Sequence, residues 1–324
     1  MATHPAFIGH GTFCYLPDVT MRHYRNYPSG LGSGILDRVR RFLNLAAPPT
    51  AIDPAGFVRA VKDMNMSNVW VRLFGLEGVM NPAPTRQLVD ALKSAGINVA
   101  GWGYCHGKDW EAELDHAINQ SRTYGLTAFV ADIEPGRLLG GTKSRWRVND
   151  FVRLVDGLVD EFSRDNLGIS TWPVLKIQDS AEFPSIDLMR HVADRVAMFA
   201  PQAYWMGYPK QVHYDATGFK ETQYPRDDPS SFVRLVVDSW RALGFDQHLV
   251  VTGQAYWGEG GPSRSILERK LREFTTSYVE WHKIIGFNWW HAGNELAMSR
   301  PMIDALVSAK LGQKPFATPR ELVV

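Results

Sequence analysis

Eight times along this chain a short apolar run gives way to a segment with helical spacing, and that alternation limits the fold more than any other feature. The strands read at residues 6–16, 68–74, 97–104, 127–134, 167–172, 196–204, 248–256 and 284–290. The helices between and after them read at 54–66, 85–95, 110–124, 149–164, 186–192, 228–243, 263–281 and 300–311, with a further short one at 34–45. Asp53 before Pro54 is placed as an N-cap, and Gly96 and Gly125 close the helices they follow. Strand and helix in strict alternation imply a parallel sheet, and eight such units imply a closed barrel. The fold class is therefore α/β, a single (β/α)8 TIM barrel over 1–314, with a loop-rich insertion at about 17–50 and a C-terminal tail at 315–324. An open doubly wound sheet is the structural alternative. No glycine-rich phosphate cradle follows any strand, which weighs against its nucleotide-binding form. An internal echo favours the ring: Gln-Ala-Tyr-Trp ends two successive strands, at 202–205 and 254–257.

Composition excludes several function classes. A formal net charge of +1 leaves no electrostatic footprint for nucleic acid or an anionic membrane. No run approaches the ~18 apolar residues of a membrane span. The two cysteines, Cys14 and Cys105, cannot build a disulfide framework. The opening Met-Ala-Thr-His-Pro has no basic-then-apolar pattern, so the sequence suggests a cytoplasmic protein or one released by a non-classical route. No close pair of histidines suggests a metal site, and no cofactor motif is read. Oligomeric state is not legible. The 11 Trp and 11 Tyr are unusual, and many sit at strand ends.

The stretch 126–135, Leu-Thr-Ala-Phe-Val-Ala-Asp-Ile-Glu-Pro, concentrates the chemistry. It starts as a buried strand and ends in two acids, Asp132 and Glu134, before Pro135 and Gly136 stop it. Alternation points both acids to one face, Cα atoms roughly 6–7 Å apart. With these two inward, Ala128 and Val130 line the barrel while Phe129 and Ile133 face helices. By the same parity Asn288 and Trp290 face inward, Phe287 and Trp289 outward.

Functional groups of such barrels gather at the C-terminal ends of the strands. There the strands deliver His10 and Asp18; Arg72 and Glu77; Trp102, Tyr104 and His106; Asp132 and Glu134; Trp172; Gln202 and Tyr204; Gln254 and Tyr256; and Asn288, Trp290 and His291. Aromatic platforms, amides and a few acids suit a sugar, whose C–H faces stack on rings and whose hydroxyls bond to amides and carboxylates. Glycosidic cleavage needs an acid for the leaving oxygen and a second group at the oxocarbenium-like centre. Glu134, further out on its strand, is placed as general acid, its pKa raised by burial and by Asp132. Asp132 is placed to orient the substrate. Arg72, Trp102, Tyr104, Gln202, Tyr204, Gln254, Tyr256, Asn288 and Trp290 are placed as substrate contacts.

Three patches resemble sugar-cleaving barrels. The segment 129–134 resembles the fourth-strand Asp-x-Glu of glycoside hydrolase family 25 lysozymes and the end of the family 18 chitinase signature. The segment 201–204, Pro-Gln-Ala-Tyr, is similar to the sixth-strand Met-x-Tyr of family 18. The segment 286–290, Gly-Phe-Asn-Trp-Trp, is similar to the eighth-strand segment carrying that family's subsite tryptophan. The resemblance implies a glycosidase with Glu134 as the acid, Asp132 assisting an acetamido group, and Tyr204 and Trp290 as substrate contacts. It departs at Ala128 and Val130, where family 18 has acids, at Trp205, and at Ile8-Gly9-His10, where family 25 has Gly-Ile-Asp. The implied substrate is a polysaccharide with amino sugars, peptidoglycan or chitin-like. Three other readings stay open: a non-catalytic carbohydrate-binding barrel, a metal-dependent hydrolase using the two acids with His10, His106 or His291, and a structural pairing of the acids with Arg72 or Arg137. Cys105 beside His106 reads as two residues on opposite faces rather than as a nucleophile and its base. Glu77, Glu259 and Glu295 are rim acids that could supply a second carboxylate.

Overall fold

A computed structural model describes residues 3–25, 27–28, 52–135, 145–206, 208–256, 264–277, 279–293 and 297–318. The helix expected at 34–45, and Arg137, Trp257, Glu259 and Glu295, lie outside the described residues.

Among the described residues nine strands form one sheet: β1 Gly9–Cys14, β2 Asn68–Gly75, β3 Gly78–Val79, β4 Asn98–Cys105, β5 Phe129–Ile133, β6 Leu167–Thr171, β7 Met198–Ala203, β8 His248–Gln254 and β9 Gly286–Ala292. Eight are parallel neighbours, and β1 pairs with both β2 and β9, so the sheet closes on itself. The short β3 adds an antiparallel flap to β2. This is the expected (β/α)8 barrel.

The alternation of side chains sorts the core into two layers. Phe13, Trp70, Ala100, Trp102, Ala128, Val130, Met198, Ala200 and Val250 fill the barrel interior. Phe129, Ile133, Phe287 and Trp289 belong to the layer between sheet and helices. The parity read from the sequence at β5 and β9 therefore holds. Large interior side chains need small partners. A Cβ at Gly168 would lie 2.1 Å from Met198 Cε, so glycine is what lets that methionine fill the interior.

The helix ends follow local chemistry. Asp53 Oδ1 accepts from Ala55 N at 2.8 Å and caps the helix Pro54–Asp63. Gly125, at φ 59°, ends the helix Trp110–Tyr124 in a left-handed turn.

Three expectations are corrected. The loop-rich insertion expected at about 17–50 opens instead with a helix: Pro17 starts Pro17–Tyr24 at N1, and Thr20, Met21 and Tyr24 form its buried face. His10 does not reach the mouth. With Phe13 inside the barrel, His10 is on the outer face, where its Nε2 accepts from Trp289 Nε1 at 2.6 Å. The start of the C-terminal tail packs rather than trails. Ala317 is buried and its N–H donates to Ile284 O at 2.9 Å. Among the described residues no helix is long and apolar enough to cross a membrane.

Candidate active site

The end of β5 places Asp132 and Glu134 in the mouth of the barrel. Asp132 is 4% exposed. Its Oδ1 accepts from Gln202 Nε2, on β7, at 2.8 Å, and the same Nε2 lies 3.2 Å from Ser170 Oγ on β6. Gln202 and Trp172 are the polar groups that act on the Glu134 carboxyl.

Burial drives the electrostatics. It pushes Asp132 well above the usual carboxylate range, and the neighbouring Glu134 charge adds to the rise. Hydrogen bonds from Ser170 and Gln202 and the charge of Arg72 oppose it. Burial raises Glu134 as well, opposed by the polar groups of Gln202 and Trp172. Burial and the two acids also raise the phenols of Tyr104 and Tyr204, which stay protonated and able to donate.

Aromatic rings pack together around Trp290 and Tyr204 at the strand ends. Trp290 is half-buried and meets Phe13 at 5.2 Å, Trp102 at 5.3 Å and Tyr15 at 5.5 Å between ring centroids, each steeply tilted. Tyr204 packs edge-on against Tyr256 at 5.3 Å and lies 6.5 Å from Trp290. The Arg72 guanidinium lies 4.4 Å over the Tyr15 ring and 5.5 Å over Trp102, and its ion pair is with Glu77 at 2.8 Å. The cation of the mouth is therefore held by aromatic faces and a rim acid. His291 sits beside Tyr15 at 5.4 Å, and burial lowers its pKa to about 4, so it is neutral.

Gln202 bonds to Asp132, both acids act on the phenols of Tyr104 and Tyr204, and Tyr256 and Trp290 pack against Tyr204; three other residues read as substrate contacts have other positions. Trp102 is 1% exposed and lies within the interior layer, its Nε1 donating to Cys14 O at 3.3 Å; it supports Trp290 from below. Gln254 spends both ends of its amide on the rim backbone: Oε1 accepts from Met206 N at 2.9 Å and Nε2 donates to Tyr256 O at 3.1 Å. Asn288 is fully buried deep in the barrel, close to Gly11 and Asn68. For Trp102 and Asn288 the strand parity is right and the depth is not.

The residues of the metal reading are not brought together. His10 is on the outer face and His106 turns to Glu113, with Nε2 3.3 Å from Oε1. Among the described residues no group of three or more His, Cys, Asp or Glu is placed to hold a metal ion. Cys105 is buried with its thiol pushed well above the usual range, mainly by burial, which leaves no thiolate to attack.

Sequence reasoning missed Tyr15, Ser170 and Glu113. Tyr15 lies two residues beyond the inward-facing Phe13, and Ser170 two residues before Trp172, so the period of two carried the signal for both. Glu113 lies in the first turn of the helix Trp110–Tyr124, where an acid also reads as ordinary helix-dipole complement. It is buried, and burial raises it to about 7.

The closed parallel barrel is a fold that this chain shares with solved TIM-barrel glycoside hydrolases. A GH5_18 protein from Bifidobacterium longum subsp. infantis is similar in structure with a TM-score of 0.58 at 10% identity, over 98% of this chain and 81% of that one. A GH113 β-1,4-mannanase is similar with a TM-score of 0.54 at 11% identity, over 94% and 98%. A chitinase from Rhizomucor miehei is similar with a TM-score of 0.51 at 12% identity, over 76% and 94%. At such identities the likeness is one of fold. No protein-family model matches the sequence, and no curated protein is similar to it in sequence.

Proposed function

We propose that this barrel is a glycoside hydrolase acting on a polysaccharide with amino sugars, chitin-like or peptidoglycan, with Glu134 as general acid and Asp132 assisting. The observation that carries the reading is the pair of acids at one strand end. Gln202 bonds to Asp132 in the barrel mouth, and burial raises both carboxyls. A carboxyl with a raised pKa keeps the proton that a glycosidic oxygen must receive as it leaves. Glu134 is the outer of the two and gives that proton. Asp132, bonded to Gln202 and near Ser170, has a fixed orientation in which to meet an acetamido group or the developing positive centre. Tyr204 donates its phenolic hydrogen to the substrate, and Trp290 stacks against a sugar face. Fold likeness to a chitinase, a mannanase and a GH5_18 protein supports a saccharide as ligand and leaves the sugar to be measured.

The test is release of reducing sugar from chitin oligomers and from peptidoglycan. Turnover on either names the substrate. Saturable binding without turnover on both would replace this reading with a non-catalytic carbohydrate-binding barrel. Absence of both turnover and binding would refute the amino-sugar assignment.

A further inference from the structure

We propose that Glu113 and Trp146 are positioning residues that hold the main chain of Glu134 from its two sides, and so aim its carboxyl. The proposal rests on the reading of Glu134 as general acid. Glu134 follows the last residue of β5, and Pro135 after it has no N–H to extend the ladder. Its backbone is held by the last rung of the β4–β5 ladder and by one side chain beyond the sheet. The Glu134 N–H donates to Cys105 O at 3.2 Å, and the Glu134 carbonyl accepts from Trp146 Nε1 at 3.2 Å.

Both supports lead back to Glu113. Cys105 ends β4, and the next two residues turn toward the helix that carries Glu113. Glu113 Oε1 accepts from His106 N at 3.1 Å and from Gly107 N at 3.2 Å, and Oε2 lies 3.3 Å from Gly107 N. His106 Nδ1 accepts from Lys108 N at 3.3 Å, so Nε2 carries the hydrogen that faces Glu113. The turn thus hangs from one buried carboxyl. Gly107, at φ 72°, lies flat against the other support: a Cβ there would come within 2.5 Å of the Trp146 indole. Trp146 is itself buried and packs edge-on against Phe151 at 5.5 Å. Glu113 fixes the turn, the turn seats Trp146 and presents Cys105 O, and these two grip Glu134. A buried carboxyl that served only to start a helix would not need this arrangement, because Asp109 already caps that helix through Ala112 N at 3.2 Å.

The experiment compares Glu113→Leu, Trp146→Phe, Glu113→Gln and Glu134→Gln on two substrates. One is a chitin oligomer, whose sugar leaving group needs a proton. The other is dinitrophenyl N,N′-diacetylchitobioside, whose phenolate leaves without one. Misaiming a general acid removes part of the 10²–10⁴-fold it supplies, so kcat on the oligomer should fall about 10- to 100-fold with KM little changed. On the aryl glycoside kcat should stay within about 3-fold, the pattern expected of Glu134→Gln itself. Glu113→Gln, which keeps an acceptor oxygen, should recover most of the loss. Amide exchange at Glu134 should quicken at least about tenfold in Glu113→Leu and Trp146→Phe while Val130 stays protected. Equal losses on both substrates, unchanged kcat on both, or unchanged exchange at Glu134 would each overturn the proposal. If only Glu134→Gln lacks the leaving-group pattern, it is the general-acid reading that fails, while faster exchange would still show the clamp. If Glu113→Leu does not fold, Trp146→Phe carries the test, since it removes one N–H and keeps a ring against Gly107.

Discussion

Gln202 Nε2 lies 2.8 Å from Asp132 Oδ1, so an uncharged amide, not a guanidinium or ammonium, faces the buried carboxyl of the mouth. An amide can orient a carboxyl without holding it ionised as a cation would. Burial and the adjacent Glu134 therefore set the protonation of the pair, and Arg72, the nearby cation, is held by Glu77 and the Tyr15 ring.

Asp132→Asn should separate stability from activity. The folded-state pKa of Asp132 is raised, so protonation favours the folded state. That contribution is fully present below the unfolded value of about 3.9 and is lost as pH rises through the folded value. Asparagine carries no such dependence. The variant should melt higher than wild type at pH 8 and level with it near pH 3.5, while turnover falls on the order of 10²-fold or more. A variant that melts lower at pH 8 would contradict the burial argument.

His10→Phe should cost stability and leave catalysis intact. The substitution strips the acceptor from Trp289 Nε1 in the outer layer and leaves a buried N–H unpaired. The expected loss is about 1–3 kcal/mol in unfolding free energy, with kcat within about 2-fold of wild type. Denaturant unfolding and steady-state kinetics on the same preparation check it.

Trp290→Phe keeps an aromatic ring on Phe13 and Trp102 while halving the platform offered to a sugar. KM should rise about 3- to 10-fold with kcat little changed, the signature of binding lost equally in ground and transition states.

Thiol accessibility tests the barrel end to end. Cys14 and Cys105 are both buried; burial raises Cys14 to about 12 and Cys105 well above the usual thiol range. Native protein at pH 8 should react with Ellman's reagent at well under ~0.1 thiol per chain over minutes, and denatured protein at both cysteines. Fast labelling of the native protein would place a cysteine at the surface.

Period-two alternation made the barrel and its inward and outward faces legible, as Phe129, Ile133, Phe287 and Trp289 show on one side and Ala128 and Val130 on the other. It also located Asp132, Glu134, Gln202, Tyr204 and Trp290. Depth was not legible, because alternation says which way a side chain points and not how far up the barrel it sits. Trp102 and Asn288 therefore read as contacts although the interior closes over both. Gln254 misled for another reason: nothing local in the sequence tells an amide spent on Met206 and Tyr256 backbone from one free to bind a sugar. The helix Pro17–Tyr24 was hidden by its Arg, His and Tyr content, although Pro17 at its first turn was the available cue. Glu113 acts through the turn after β4 and Trp146 through a side-chain bond to Glu134 O, and strand alternation records neither.

The most direct measurement is the rate of reducing-sugar release by wild type and by Glu134→Gln, on whichever of chitin oligomers or peptidoglycan the wild type cleaves. Circular dichroism must show the same fold in both. The account predicts a loss of about 10²–10⁴-fold in kcat with substrate binding retained. A Glu134→Gln enzyme that turns over at the wild-type rate would contradict it.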